Sequence, residues 1–120
     1  MTTEARRILD ANISEKDFMQ QVIDAARYLG WKVFHTHDSR KSEPGYPDLT
    51  MIRNGFLIFA ELKREGKKLT DEQEMWKFSI EGVETRAMQV EKRGREMYPV
   101  EYYVWHPSDF EEIMEILNSR

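Results

Sequence analysis

The sequence has no cysteine and no long apolar run, and each absence excludes a class of protein. Without cysteine the chain forms no disulfide and offers no thiolate ligand, so a metal would have to bind carboxylate, imidazole or backbone oxygen. No run of 18 apolar residues is present, and the polar first residues lead into no apolar signal core. We therefore expect a cytoplasmic protein without a membrane-spanning helix.

The composition fits a globular protein of one domain. The chain has 120 residues, of which 40% are hydrophobic and 33% are charged. Residues 1–13 are mostly polar and are predicted to form an N-terminal extension, and residues 14–120 are predicted to form the domain. Within it, residues 82–99 mix basic and apolar residues as an amphipathic helix does, although two glycines interrupt the pattern.

The charge is unevenly distributed along the chain. The formal net charge of −4 argues at first against a nucleic-acid partner. Between residues 40 and 68, however, seven basic residues stand against four acidic ones, which gives this segment a charge of +3 and leaves −7 for the rest. A polyanion responds to the local distribution of charge, so the acidic total does not exclude nucleic acid.

The pattern of apolar residues and turn signals predicts an α/β domain. Capping-box patterns begin at Ser14 and at Thr70, and each precedes apolar residues at helical spacing. Asn54 and Gly55 are the strongest hairpin signal, and Pro107 with Ser108 opens a last helix. The predicted order is helix, three strands, helix, an uncertain segment, strand and helix, with the strands at 31–36, 48–53, 56–63 and 100–105.

The hairpin fixes which residues face each other. With Asn54 and Gly55 as a two-residue turn, Arg53 pairs with Phe56. Continuing along the ladder places Asp48 opposite Glu61, with their Cβ atoms about 4.5–5.5 Å apart. Two acids are therefore expected side by side at the far end of the hairpin.

This placement of two acids needs compensation. Like charges that face each other destabilise a sheet, so one carboxyl is expected to hold a proton unless a cation binds. Mg²⁺ suits such a pair, because it takes one or two carboxylates together with water and phosphate oxygens. Lys63 returns to the face of Glu61 by alternation, and two acids with a lysine predict a phosphodiester-cleaving site. The structural alternative is that Asp48 opens a strand after a proline turn, while Glu61 and Lys63 form an exposed pair at an edge.

The same residues resemble the PD-(D/E)XK nuclease superfamily and, within it, the small stand-alone proteins with a VRR-NUC domain. The resemblance covers about residues 14–80 and 100–118. It implies a restriction-endonuclease-like core with a mixed sheet, in the order helix-strand-strand-strand-helix-strand, followed by a C-terminal helix. The matching elements are Gly45-Tyr46-Pro47-Asp48-Leu49, Phe59-Ala60-Glu61-Leu62-Lys63, and Leu69-Thr70-x-x-Gln73 followed by Trp76.

The resemblance implies a metal-dependent endonuclease that acts on DNA and leaves a 5′-phosphate and a 3′-hydroxyl. Asp48 and Glu61 would bind Mg²⁺ or Mn²⁺, and the Leu62 carbonyl would add a third ligand. Lys63 would orient or help deprotonate the attacking water and stabilise charge in the transition state. Glu15 is a candidate for the acid that these nucleases often carry on the first helix, and its alternative role is a favourable charge at the helix N-terminus.

Further residues are assigned to the site with structural alternatives beside them. Gln73 matches a glutamine of the family, but its place in a capping box supports a local structural role equally well. Each expected nucleic-acid contact has an ordinary structural or solvated side chain as its alternative. These contacts are His35, His37, Ser39, Arg40, Lys41, Arg64, Lys67 and Lys68.

Several functions remain open at this point. The stand-alone relatives imply a homodimer that cuts branched DNA such as four-way junctions, because two sites related by a dyad can cut symmetrically. A catalytically silent DNA-binding module on the same fold and an RNA-processing nuclease are the alternatives. The small size suggests a phage or mobile-element protein by family analogy. Residues 82–99 depart from the small family members.

Overall fold

A computed structural model describes residues 3–36, 42–91 and 100–120, and the side chains of residues 84–91 fall outside that description. The order of its elements confirms the predicted α/β fold. No helix within these ranges is long and apolar enough to cross a membrane. The helices are α1 (Thr3–Asn12), α2 (Glu15–Tyr28), α3 (Asp71–Glu91) and α4 (Phe110–Ser119), the strands are β1 (Lys32–His35), β2 (Leu49–Arg53), β3 (Phe56–Leu62) and β4 (Val100–Trp105), and a short 3₁₀ helix spans Pro107–Asp109.

Helix α2 begins and ends where its sequence signals predict. The Ser14 hydroxyl accepts a hydrogen bond from the Asp17 amide at 3.0 Å and so caps the N-terminus. The helix stops before Gly30, which has a φ of +90° that other residues rarely adopt. Its apolar face is buried through Phe18, Val22, Ile23 and Ala26.

The four strands form one mixed sheet in the order β1-β2-β3-β4. β1 and β2 pair antiparallel, β2 and β3 pair antiparallel, and β3 and β4 run parallel. Asn54 and Gly55 both have positive φ, 51° and 81°, as a tight hairpin turn requires. The predicted register is confirmed from Arg53–Phe56 to Leu49–Ala60.

The two faces of the sheet differ in what covers them. One face packs on α2 and α4 and forms the apolar core. On the other face, helix α3 contacts β4 and buries Ile80. The completely buried sheet residues of the core face are Leu49, Met51, Ile58, Ala60 and Leu62.

Helix α1 and the later part of helix α3 lie in the two segments whose structure the sequence predicted least clearly. Helix α1 buries none of its residues. Helix α3 continues through Gly82 to Glu91 instead of stopping there, because a single glycine within a helix costs only about 1 kcal/mol. Residues 92–99, the remainder of the segment that departs from the small family members, lie outside the described residues.

Candidate active site

The two acids meet at the end of the hairpin opposite its turn, but not as a pair of the ladder. The pairing of β2 with β3 stops at Leu49–Ala60. Beyond it, the Asp48 carboxylate accepts a hydrogen bond from the Leu62 amide at 2.9 Å. The prediction that Asp48 is a strand residue directly paired with Glu61 is therefore wrong in this detail, because the Asp48 side chain replaces the next backbone bond. The carboxylates nevertheless come together.

Glu61 is the charged residue that the sheet buries. Its side chain is 2% exposed. The Gln73 amide nitrogen donates to its Oε1 at 2.8 Å. Its Oε2 is buried and has no donor among the described residues. A buried acceptor without a donor is unfavourable, so this oxygen is suited to a proton or a cation.

Burial and the neighbouring acid together raise the pKa of Glu61 to about 9. Burial is the larger cause, because it penalises the charged form, and the negative charge of Asp48 adds to it. A proton on one carboxyl also supplies a hydrogen bond between the two acids, which is absent when both are ionised. The positive charge of Lys63 opposes these effects. Without a cation, the pair therefore holds a proton at neutral pH.

Lys63 lies at the end of β3, where the predicted alternation leads. Its backbone amide donates to the Trp105 carbonyl at 2.9 Å, which extends the pairing of β3 with β4 by one residue. The side chain is half-buried. Its charge lowers the pKa of both Glu61 and Glu15, so the ammonium group acts on the acids of the site.

Glu15 lies in the first turn of α2 and faces the same group of charges. Burial raises its pKa, and the charge of Asp48 raises it further, while Lys63 opposes the shift. It does not complete a three-acid cluster, however. Within residues 3–36, 42–91 and 100–120, no three His, Asp or Glu side chains lie close enough together to hold a metal by themselves. The geometry is that of a carboxylate pair with a third acid nearby.

Gln73 takes part in the predicted capping box and also contacts Glu61. Its side-chain oxygen accepts from the Thr70 amide at 2.9 Å, and its own amide donates to the Thr70 hydroxyl at 3.3 Å. This reciprocal capping leaves the NH₂ group free to reach Glu61. The helix cap thus fixes the orientation of the amide that binds the buried acid.

The turn that carries Asp48 is packed against α3 and β1. The Trp76 indole nitrogen donates to the Pro44 carbonyl at 3.0 Å, and its ring contacts Tyr46 edge to face with centroids 5.1 Å apart. On the other side, the Thr36 amide donates to the Asp48 carbonyl at 3.0 Å. Thr36 was not predicted as a site residue, and no local pattern marks it, because its role depends on β1 lying beside β2.

A cavity of about 340 Å³ opens in front of the pair. Four of its lining residues are acidic, and no basic residue is among the described residues that line it. A phosphate would be repelled from such a surface unless cations accompanied it. The lining consists of Thr36, Ser42, Glu43, Pro44, Gly45, Tyr46, Asp48, Glu61, Glu72 and Gln73.

Three of the predicted nucleic-acid contacts lie in the connection from β3 to α3. Arg64, Lys67 and Lys68 are exposed there. This connection is attached to the 3₁₀ helix before α4, because Glu65 accepts a hydrogen bond from the Ser108 hydroxyl at 2.8 Å. The charges of Arg64 and Lys67 lower the pKa of Glu15, so this connection passes near that acid.

The predicted contacts in and after β1 divide into two groups. His35 is half-buried and pairs with Leu49, so strand alternation places it on the core face of the sheet. The other four predicted contacts, His37, Ser39, Arg40 and Lys41, lie outside the described residues.

Comparison with known proteins supports the fold. The chain matches no protein-family model and no curated protein. It is similar to a solved structure described as a VRR_NUC domain, with 19% sequence identity and a TM-score of 0.59. The match covers 84% of this chain and 94% of the other. At this identity the match establishes the fold, and the fold expected from the sequence resemblance is confirmed.

Proposed function

We propose that this chain is a divalent-metal-dependent DNA endonuclease of the PD-(D/E)XK type and a member of the VRR-NUC family. The observation that carries the proposal is the pairing of Asp48 with the buried Glu61, whose Oε2 has no donor among the described residues. Two carboxyls held together in this way are weak evidence for a stabilising role, and carboxyls with perturbed pKa values are concentrated at functional sites.

The residues of the site fit a hard divalent cation. Asp48 and Glu61 would hold Mg²⁺ or Mn²⁺, the Leu62 carbonyl would add a third oxygen, and Glu15 is the remaining acid within electrostatic reach. Two carboxylates completed by water and phosphate oxygens are a common arrangement for Mg²⁺ in phosphoryl-transfer sites. When bound, the cation supplies charge neutralisation for the phosphate and acidifies water.

The protein's own groups would then serve the hydrolysis. Water adds to the phosphorus, the bond to the 3′ oxygen breaks, and that oxygen takes up a proton, which leaves a 5′-phosphate and a 3′-hydroxyl. The positive charge of Lys63 acts on Glu61 and Glu15, so Lys63 would orient the water and stabilise charge on the phosphate oxygens. Gln73 would hold Glu61 in position through its Oε1.

The proposed nucleic-acid surface lies beside the acidic cavity. Arg64, Lys67 and Lys68 are exposed on the anchored connection from β3 to α3 and would bind backbone phosphates. We extend the proposal to His37, Ser39, Arg40 and Lys41, which follow β1 in the sequence. His35 is not included, because it lies on the core face of the sheet, away from the carboxylate pair. The sequence resemblance supports a homodimer that selects branched DNA such as four-way junctions.

Cleavage of a defined panel of substrates tests the proposal. Fluorescent single-stranded, duplex, flap and four-way-junction DNA and a matched RNA are incubated with Mg²⁺, with Mn²⁺, or with chelator. We expect metal-dependent cleavage, greatest on the junction or the flap, with 5′-phosphorylated products. Asp48→Ala should abolish cleavage and retain binding.

Other outcomes would redirect the assignment. Binding without cleavage with every metal would indicate a DNA-binding module instead of an enzyme, and cleavage of RNA alone would indicate an RNA nuclease. Light scattering of the purified protein, alone and with junction DNA, decides whether it is a dimer.

A further inference from the structure

We propose that Gly45 is a positioning residue for the carboxylate pair, acting through the first turn of α3 and through Gln73. The turn that leads to Asp48 and the helix that carries Gln73 touch at Gly45. The absence of a side chain there allows both acids to be held at once. The catalytic consequence rests on the proposed nuclease function, whereas the structural coupling is independent of it.

The space at Gly45 is closed by backbone atoms. A Cβ added there would lie 2.4 Å from the Glu72 carbonyl carbon, 2.5 Å from the Glu72 oxygen and 2.7 Å from the Gln73 amide nitrogen. Backbone in the first turn of a helix cannot rotate away as the end of a long side chain can. A side chain at position 45 would therefore force the turn and the helix apart.

The backbone conformation alone does not explain the glycine. Gly45 has a φ of +86°, which is similar to +90° at Gly30 and +80° at Gly66. A Cβ at either of those two positions would meet nothing within 4 Å. A substitution at any of the three glycines would strain the backbone to a similar degree. Among the three, only at Gly45 would the new Cβ also collide with backbone atoms.

The contact at Gly45 lies between the turn that carries Asp48 and the helix that carries Gln73, the partner of Glu61. Towards the N-terminus, the Pro44 carbonyl accepts the indole hydrogen bond of Trp76 on α3. Towards the C-terminus, the chain passes through the buried Pro47 to Asp48, whose carboxylate binds the Leu62 amide.

On the helix side, Gln73 directly follows Glu72 and binds Glu61 at 2.8 Å. If a side chain at position 45 forced the turn and the helix apart, Asp48 would move relative to Gln73 and hence to Glu61. Because the site depends on the distance between the two acids, a shift of this kind should impair the reaction more than it impairs the fold.

A double-mutant cycle tests whether Gly45 acts through Gln73. Gly45→Ala, Gln73→Ala and the double variant are unfolded in urea without metal, and Gly30→Ala serves as the matched control with the same backbone strain. We expect Gly45→Ala and Gln73→Ala to be non-additive by at least about threefold in the unfolding equilibrium constant. We expect Gly30→Ala and Gln73→Ala to be additive.

The kinetic measurement separates positioning from general destabilisation. On a substrate that the wild type cleaves, Gly45→Ala should lower kcat by about 10- to 100-fold with little change in KM. Gly30→Ala should leave both constants near the wild-type values. Trp76→Phe, which keeps a ring but removes the hydrogen bond to Pro44, should lower kcat in the same direction and keeps the test available if Gly45→Ala does not fold.

Two results would overturn the inference. One is additivity of Gly45→Ala with Gln73→Ala in unfolding. The other is a Gly45→Ala enzyme with the kcat of the Gly30→Ala control, or, where Gly45→Ala does not fold, a Trp76→Phe enzyme with the kcat of the wild type. If the wild type cleaves no nucleic acid, the proposed function fails, and the unfolding cycle still decides the coupling.

Discussion

The two ends of the β2–β3 hairpin use their charged residues in opposite ways. At the turn end, the Arg53 guanidinium donates to the Leu117 carbonyl and lies 5.9 Å from the centre of the Trp31 ring. The Trp31 indole nitrogen donates to the same carbonyl at 3.0 Å. Asn54 in the turn binds the Arg120 carbonyl. Each of these polar groups has a partner that the fold itself provides.

At the open end of the hairpin, away from the turn, two acidic side chains lie together. Glu61 is buried beside Asp48, and its Oε2 has no donor among the described residues. The pKa of Glu61 is raised because burial and a like charge both oppose its ionisation. Marginally stable proteins keep such conflicts where binding or catalysis relieves them. The polar groups at the turn end are therefore satisfied by the fold itself, and the open end is where we propose the active site.

Removing the charge of Asp48 should produce the largest effect on function. Asp48→Asn keeps an oxygen that can accept from the Leu62 amide, but it removes one of the two negative charges. We expect cleavage to fall by at least about 100-fold, while the free energy of unfolding changes little, because the metal-free pair already holds a proton and the introduced asparagine side chain still accepts from the Leu62 amide. Asp24→Asn, at an exposed position of α2, is the control and should change neither quantity. Full activity of Asp48→Asn would contradict the assignment of the open end.

The stability of the metal-free protein should decrease as the pH rises. Because the folded-state pKa of Glu61 is raised from 4.5 to about 9, the folded state binds more protons than the unfolded state between these values. The contribution of this proton is fully present below about pH 4.5 and is lost as the pH rises through about 9. Urea unfolding at several pH values measures the slope, and Glu61→Gln should flatten it. An equal slope in both proteins would show that Glu61 is not the group responsible.

A change at the turn end should affect stability but not cleavage. Arg53→Met removes the guanidinium contacts with Leu117 and Trp31, and we expect it to lower the free energy of unfolding by about 1–3 kcal/mol. The kinetic constants should remain those of the wild type, which is the reverse of the pattern expected for Asp48→Asn. Lys32→Met, at an exposed position of β1, controls for the loss of a positive charge. If Arg53→Met lost activity at unchanged stability, the proposed difference between the two ends of the hairpin would be contradicted.

The smallest expected effect concerns Tyr102 on β4. Its hydroxyl is buried without a partner among the described residues, and burial, with the charge of Glu61 next, raises its pKa. Tyr102→Phe should therefore raise the free energy of unfolding slightly, by less than about 1 kcal/mol.

The neighbouring tyrosine is the matched control for that measurement. The Tyr103 hydroxyl donates to Glu101 at 2.9 Å, so Tyr103→Phe should lower the free energy of unfolding by about 1 kcal/mol. A clear loss of stability in Tyr102→Phe would mean that its hydroxyl also has a partner.

Much of the fold was predictable because its signals are local. Ser14 caps α2 and Thr70 caps α3, and both positions follow from side chains that bind backbone within three residues. The turn at Asn54 and Gly55 determined the register of β2 with β3, since a two-residue turn leaves one pairing. The last helical segment begins at Pro107, as predicted, with one 3₁₀ turn before α4. Its cap differs from the predicted one, because the Asp109 carboxylate accepts from the His106 amide while Ser108 binds Glu65.

The sequence by itself therefore determined the order of the elements, the register and the meeting of two acids with a lysine. Only the tertiary structure decided that Asp48 leaves the ladder to bind the Leu62 amide and that Gln73 reaches Glu61. It also revealed the backbone contact that requires glycine at position 45. The reason is physical. Helix caps and turns are formed by residues that are neighbours in the chain. The burial of Glu61 and the close backbone contact at Gly45 arise only when α3 and β1 pack on the hairpin.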